Sequence, residues 1–140
     1  MPILPERFDA HPARDASLAS MHAVEAGDKA AWLALFANDA VVEDPIGPSV
    51  FDPDGSGHCG IAAIEAFYDT VIGPNDVRFH IEQSWAGGTE VANVGTISTT
   101  LPDGTVVHTD GVFTYRVDDD GRLVALRAYW EMDRLRFGDG

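Results

Sequence analysis

The sequence predicts an α+β fold in which about three N-terminal helices pack on a mostly antiparallel sheet. Apolar residues recur at helical spacing in the first half of the chain, up to about Ile72. From Val77 onward the pattern changes to long runs rich in β-branched residues, separated by the turn sequences 102–104 and 118–121. Helices followed by a meander of strands indicate an α+β domain, and a sheet curved around the helices would leave a conical cavity.

Length and composition point to one folded domain. The chain has 140 residues, of which 45% are hydrophobic, and this suits a single core that folds alone. Residues 1–14 contain three prolines and little periodicity, so we expect an N-terminal arm followed by a single domain over residues 15–137.

Charge and cysteine content exclude several function classes. The net charge of −14 repels phosphate backbones and anionic lipid surfaces, so we predict neither nucleic-acid binding nor membrane association. The single cysteine, Cys59, cannot form an internal disulfide. The sequence contains no bilayer-length apolar run and no secretion signal. These features together predict a cytoplasmic protein.

Capping and stop signals define three helices. Asp15 or Ser17 is expected to cap the first helix, and Gly27 to end it. Asp28 is expected to cap a short second helix. The third is predicted over 61–72, where it meets a Gly-Pro-Asn-Asp stop.

The strands are predicted from alternation and from the turns between them. A short strand over 40–43 ends at Asp44-Pro45, because proline cannot donate to a sheet ladder. A long irregular loop over 45–60 contains three prolines and several glycines. The later strands are expected at Val77–Trp85, Val91–Leu101, Thr105–Val117 and Arg122–Phe137, the last of them frayed after Asp133.

Asp44 is the principal candidate functional residue. It places a carboxylate at the end of an apolar strand and at the start of a loop. Such a residue either satisfies nearby loop amides in solvent or faces a pocket as a general base. The sequence pattern by itself leaves both interpretations open.

The motif around Asp44 resembles a known family. The order of elements resembles the nuclear transport factor 2-like superfamily, which has a cone-shaped, cystatin-like α+β barrel. Within it, the segment 35–47, Leu-Phe-Ala-Asn-Asp-Ala-Val-Val-Glu-Asp-Pro-Ile-Gly, is very similar to the ketosteroid isomerases, the steroid delta-isomerase branch with SnoaL-like relatives. Segments 111–116 and 126–130 resemble actinobacterial isomerase-like members.

The resemblance implies a role for several residues. Asp44 would be the base that moves a proton between two carbons of a steroid. The family's oxyanion-hole tyrosine falls on Ser20, and its late-strand aspartate falls on Asp110 or, in the other register, Gly111. Tyr68 falls where the isomerases keep a tyrosine that supports the oxyanion donor. The expected pocket-lining residues are Trp130, Ala128, Leu126, Met21 and Phe113.

Three functions remain open on this basis. The first is a cofactor-independent isomerase that acts on a steroid or similar ketone in a hydrophobic pocket. The second is a non-catalytic binding module for a steroid or polyketide-like ligand, and the third is a cyclase or lyase of the same fold. The resemblance also implies a homodimer. The five histidines lack metal-ligand spacing, so no metal is predicted, and His58 is expected to be a solvated loop residue.

Overall fold

The computed structural model describes residues 3–5 and 8–138. Three α-helices precede most of the sheet, and the third continues into one π-helical turn. The helices are α1 (Pro12–Ala26), α2 (Lys29–Ala34) and α3 (Ile61–Phe67), with the π-helical turn at Tyr68–Ile72. No helix within the described ranges is long and apolar enough to cross a membrane.

Seven strands form one mixed sheet. The strands are β1 (Phe36–Glu43), β2 (His58–Cys59), β3 (Asp76–Gly87), β4 (Glu90–Thr100), β5 (Val106–Val117), β6 (Leu123–Tyr129) and β7 (Arg136–Gly138). Along the sheet their order is β2-β1-β6-β5-β4-β3, and β7 pairs with the start of β5. All neighbours are antiparallel except β1 and β6, which are parallel. The predicted fold, helices packed on a curved sheet, is therefore confirmed.

Three predicted boundaries need correction. Helix α1 begins at Pro12 and not after Asp15 or Ser17, because the His11 ring accepts a hydrogen bond from the Ala13 N–H and caps the helix. Strand β1 begins at Phe36, four residues earlier than expected. The final segment is not one strand: β6 ends at Tyr129, a 3₁₀ turn follows, and β7 returns to pair with β5.

The N-terminal residues contact the domain. Ile3 is only 2% exposed within the main hydrophobic cluster, and its carbonyl accepts a hydrogen bond from the Ile81 N–H. Leu4 is buried in the same cluster. Part of the segment expected to be an arm thus packs against the core and β3.

Two glycines lie where the strands approach other backbone most closely. Gly95 on β4 pairs with Gly111 on β5. A Cβ at Gly95 would overlap the backbone of His80, and one at Gly111 would overlap the Tyr129 carbonyl. Side chains are therefore excluded at both positions, which is a common device where a sheet bends sharply.

Candidate active site

A cavity of about 360 Å³ lies between the helices and the concave face of the sheet. This volume is within the range of about 300–1,000 Å³ typical of small-molecule pockets. Its wall is almost wholly apolar, with side chains such as Val24, Phe67, Val77, Phe113 and Leu126. The polar groups that interrupt this lining are few, so each can orient a ligand.

Asp44 lies in this wall. Val42 and Leu126 are paired neighbours on β1 and β6, and both line the cavity. Side chains alternate along a strand, so Asp44, two residues beyond Val42, continues the same face. Strand β1 ends at Glu43, and Pro45 follows at once. The sequence therefore places the carboxylate at the last position that still faces inward.

Trp130 holds the Asp44 carboxylate from the neighbouring strand. The indole Nε1–H donates a hydrogen bond of 2.6 Å to Asp44 Oδ1, a short distance typical of a charged acceptor. Burial raises the pKa of Asp44 above its ordinary value of 3.8, while the Trp130 hydrogen bond and the nearby His58 charge lower it. Burial dominates, so the group is more basic than a solvated aspartate.

A second polar group in the cavity wall comprises Trp32, Ser20 and Tyr115. The Trp32 indole N–H donates to Ser20 Oγ at 2.9 Å, and both residues are almost fully buried. Burial first, and then the charge of Asp44, raise the pKa of the Tyr115 phenol, against the lowering effect of a hydrogen bond from Ser20. Tyr115 is therefore a neutral donor at physiological pH.

Other expected site residues lie around the cavity or behind it. Trp130, Leu126 and Phe113 line it, together with Ser20. Tyr68 is buried against the Trp32 ring, with centroids 5.5 Å apart, and is not part of the lining. Met21 and Ala128 are buried core residues that also lie outside the lining.

The late-strand position requires a correction. Phe113 and Tyr115 face the cavity, so alternation places Asp110 on the outer face. There its carboxylate accepts hydrogen bonds from Arg136 at 2.7 and 2.9 Å and from Thr96 at 2.6 Å. Gly111 shares the inward parity, but the Tyr129 carbonyl leaves no room for a side chain. Neither register brings a carboxylic acid into the cavity.

His58 also differs from expectation. It lies on β2 opposite Val42, with its ring 4.7 Å from Phe67, and is not a solvated loop residue. Its Nε2 atom is buried and has no hydrogen-bond partner among the described residues. Across residues 3–5 and 8–138, no group of three or more His, Cys, Asp or Glu side chains is arranged to hold a metal ion.

Exposed apolar side chains surround the open side of the cavity. Val50 and Phe51 come from the loop after Asp44, and Met132 and Phe137 from the C-terminal segment. All four are exposed, Val50 to 73% and Phe137 to 69%, while also lining the cavity. Such a rim suits entry of an apolar ligand.

Comparison with known proteins places the chain in a family. The model of the SnoaL-like domain matches residues 18–126. The chain belongs to the SnoaL-like family. A steroid Delta-isomerase of Nocardioides simplex is 33% identical over 111 residues, which cover 79% of this chain and 82% of that protein.

Two solved structures are close relatives of this SnoaL-like protein. A Delta 5-3-ketosteroid isomerase from Mycobacterium sp. is 49% identical with a TM-score of 0.88, and the match covers 92% of this chain and 100% of that one. A Mycobacterium tuberculosis protein in complex with estradiol-17beta-hemisuccinate is 40% identical with a TM-score of 0.87, covering 91% of this chain and 100% of that one.

The SnoaL-like cavity contains functional candidates that sequence reasoning missed. Tyr115 shares the inward face of Phe113 at period two, a signal that was available in the sequence. Trp32 lies in the short second helix, and nothing local connects it with Ser20, twelve positions away. His58 had no local signal, because its partial burial depends on a two-residue strand inside a loop.

Proposed function

We propose that this protein is a steroid delta-isomerase-like enzyme that moves a proton next to a ketone, with Asp44 as the general base. One observation carries the proposal: a carboxylate of raised pKa stands in the wall of a mainly apolar cavity. The similarity to steroid isomerases at 33% and 49% identity supports the same substrate class.

The proposed reaction needs only one base. The Asp44 carboxylate takes a proton from the carbon between the carbonyl and the double bond of a β,γ-unsaturated ketone. The C–H electron pair forms a new double bond, and negative charge moves to the carbonyl oxygen. Asp44 then returns the proton to the γ-carbon, which regenerates the ketone as a conjugated enone. A raised pKa brings the base closer to the proton it must hold between the two steps.

The Trp130 hydrogen bond fixes the direction from which Asp44 works. It occupies Oδ1, so Oδ2 is left to approach the ligand. A carboxylate held in this way removes the proton from one carbon and returns it to the other on the same face of the ligand. Trp130 therefore supports the proposal as a positioning residue.

The test is conversion of a β,γ-unsaturated ketosteroid, followed by the ultraviolet absorbance of the conjugated product. We expect Asp44→Asn to lower kcat by about a thousandfold or more, since general-base catalysis contributes about 10²–10⁴. Asp39→Asn is the matched control, because Asp39 lies exposed on the same strand. Equal rates for wild type and Asp44→Asn, or none above background, would overturn the proposal.

A binding function is the second candidate, and Ser20 favours it. The residue at the position of the family's tyrosine is too short to serve as an equivalent donor. A steroid carrier would bind a phenolic steroid and an enone alike without turnover, and Asp44→Asn would leave both affinities unchanged. Equilibrium binding beside the absorbance assay distinguishes the two functions.

Two features of the proposal concern the protein's surroundings. We expect a homodimer through the outer face of the sheet, where Tyr129 is 49% exposed. Light scattering at several concentrations tests this expectation. Action in the cytoplasm on a small hydrophobic ketone, without a cofactor, remains a prediction.

A further inference from the structure

The isomerase proposal leaves one chemical requirement without a residue. Charge that develops on the carbonyl oxygen needs a hydrogen-bond donor inside the cavity. The two positions expected to supply it are Ser20 and Asp110, and Asp110 lies on the outer face with Arg136. Another donor must therefore serve if the cavity is to stabilise an enolate.

Tyr115 lies on β5, two strands away from the end of β1 that precedes Asp44, and one inward position along from the level of the base. Val42, Leu126 and Tyr115 form one row across β1, β6 and β5, because Val42 pairs with Leu126 and Leu126 with Tyr115. All three side chains line the cavity. Two inter-strand spacings separate the ends of this row, about 10 Å between backbones. The base side and the phenol side of the cavity thus face a ligand from different strands.

The hydrogen-bond chain behind Tyr115 has a defined direction. An indole N–H only donates, so Ser20 Oγ must accept from Trp32. Ser20 then has its own hydroxyl proton to donate, and a hydrogen bond from Ser20 lowers the pKa of the Tyr115 phenol. With its oxygen accepting from Ser20, the phenol keeps its own proton for a partner in the cavity. Each bond in such a chain polarises the next and strengthens the terminal donor.

We propose that Tyr115 is the oxyanion donor of this protein, and that Ser20 and Trp32 position and polarise it. This inference rests on the isomerase proposal and names the group that contacts the carbonyl oxygen. Ser20 occupies the position of the family's tyrosine, but in this proposal it acts through Tyr115 and does not contact the ligand itself.

In the first step the Tyr115 hydroxyl donates to the carbonyl oxygen while Asp44 removes the carbon-bound proton. Negative charge on that oxygen strengthens the bond, and the phenol retains its proton. In the second step the charge returns to carbon as Asp44 delivers the proton. No oxidant, metal or further acid is needed for the atoms and charges to balance.

Tyr115→Phe removes only the hydroxyl and is the main test. We expect kcat to fall by about a hundredfold to a thousandfold, the usual loss for one oxyanion donor, while KM changes by no more than a few fold. The matched control is the same substitution at a tyrosine that does not line the cavity. Tyr129→Phe controls for an exposed tyrosine.

Ser20→Ala tests the positioning role separately. We expect a kcat loss of about tenfold and no change in the acid limb of the pH profile, which belongs to Asp44. The carbonyl stretching frequency of a bound, unreactive enone steroid reports the hydrogen bond to its oxygen and does not depend on the stability of the fold. Its frequency should rise in Tyr115→Phe, rise partly in Ser20→Ala, and stay unchanged in Tyr129→Phe.

Binding separates failure of this inference from failure of the isomerase proposal. Tyr115→Phe should weaken binding of the phenolic steroid estradiol by about tenfold, and leave binding of a steroid without ring-A oxygen unchanged. If Asp44→Asn abolishes turnover but Tyr115→Phe retains wild-type kcat and carbonyl frequency, the donor assignment is overturned while the isomerase proposal stands. If turnover is absent but Tyr115→Phe selectively weakens the phenolic steroid, the isomerase proposal and the oxyanion role both fall, and Tyr115 is only a hydrogen-bond donor to a bound ligand.

Discussion

At the scale of single residues, two opposing effects set how readily Asp44 takes up a proton inside an apolar wall. Burial penalises its charged form, and the indole of Trp130 offsets part of that penalty with one short hydrogen bond. Because the two effects oppose each other, changing either side chain shifts the balance in a defined direction.

The Trp130→Phe variant removes the hydrogen bond and keeps an aromatic ring. We expect the pKa of Asp44 to rise further, so the acid limb of kcat/KM moves to higher pH. A charge-assisted hydrogen bond is worth roughly 1.5–3 kcal/mol, so activity below the wild-type limb should fall on the order of tenfold. A pH profile from 4 to 9 measures this, with Trp85→Phe, at an exposed tryptophan, as the control. A limb that moves to lower pH would contradict it.

The Asp44→Asn variant should be more stable than the wild type. The folded-state pKa of Asp44 lies above the ordinary 3.8, so the folded protein holds this proton more tightly than the unfolded chain does. The wild type therefore loses stability as pH rises from about 3.8 through the folded pKa, and Asn does not. We expect a gain of about 0.5–2 kcal/mol at pH 7 and none near pH 3.

Urea unfolding at several pH values checks this expectation. Asp39→Asn, on the exposed side of β1, should show no such pH-dependent gain. A stability advantage of Asp44→Asn that is the same at pH 3 and pH 7 would contradict the assigned cause.

At the scale of elements, the segment 131–138 forms a C-terminal flap over the cavity. Its 3₁₀ turn and β7 contribute Met132, Leu135 and Phe137 to the lining, while β7 pairs with β5. On the outer face, the Nε and Nη2 atoms of Arg136 each donate a hydrogen bond to the Asp110 carboxylate. The same pair holds the pKa of Asp110 well below its usual range, so the contact persists until the pH falls well below that range.

The Asp110→Ala variant should loosen this flap. An exposed ion pair is worth up to about 1 kcal/mol, so we expect a bound steroid to dissociate roughly twofold to fivefold faster. The pH dependence set by Asp44 should not change. Stopped-flow displacement of a fluorescent steroid measures the rate.

Arg134→Ala is the control within the flap, because Arg134 pairs with Glu131 of the same segment and not with β5. It should leave the dissociation rate unchanged. High salt should accelerate dissociation from the wild type and have little effect on Asp110→Ala, since exposed pairs are screened. An unchanged rate in Asp110→Ala would show that strand pairing alone holds the flap.

At the scale of the whole molecule, the cavity is an unfilled part of the core. The same concave face carries Ala128, which is a buried core residue outside the lining, and Leu126 and Phe113, which line the cavity. A ligand that fills this space binds only the folded chain, and so it stabilises the fold by mass action.

An enone steroid at 100 times its dissociation constant should raise the free energy of unfolding by about 2.7 kcal/mol. Calorimetry with increasing ligand should show a continuing rise in Tm. Leu126→Asp, which puts a charge in the wall, should abolish the ligand-dependent rise while an outer-face change such as Tyr129→Phe keeps it. A Tm that does not respond to any steroid would exclude the cavity as a steroid site.

Local signals in the sequence determined the elements and the position of the principal candidate residue. These signals act over a few residues: the change in hydrophobic spacing, the helix cap at Asp28 and the strand stop at Pro45. The structure has the Asp28 cap and the end of β1 at the predicted positions. Side-chain alternation along the strand from Phe113 also predicts that Tyr115 faces inward. The resemblance around Asp44 added the family, which the comparisons show.

Only the tertiary structure decided which groups meet around the cavity. Trp130 and Asp44 are 86 positions apart, and Asp110 and Arg136 are 26 apart. Strand register fixes these pairs, and a shift of one residue would turn each side chain to the other face. No local pattern encodes that register, since it is set by the packing of the whole sheet against the helices. For the same reason the buried Nε2 atom of His58 and the Trp32–Ser20 hydrogen bond in the wall that also contains Tyr115 emerged only from the folded molecule.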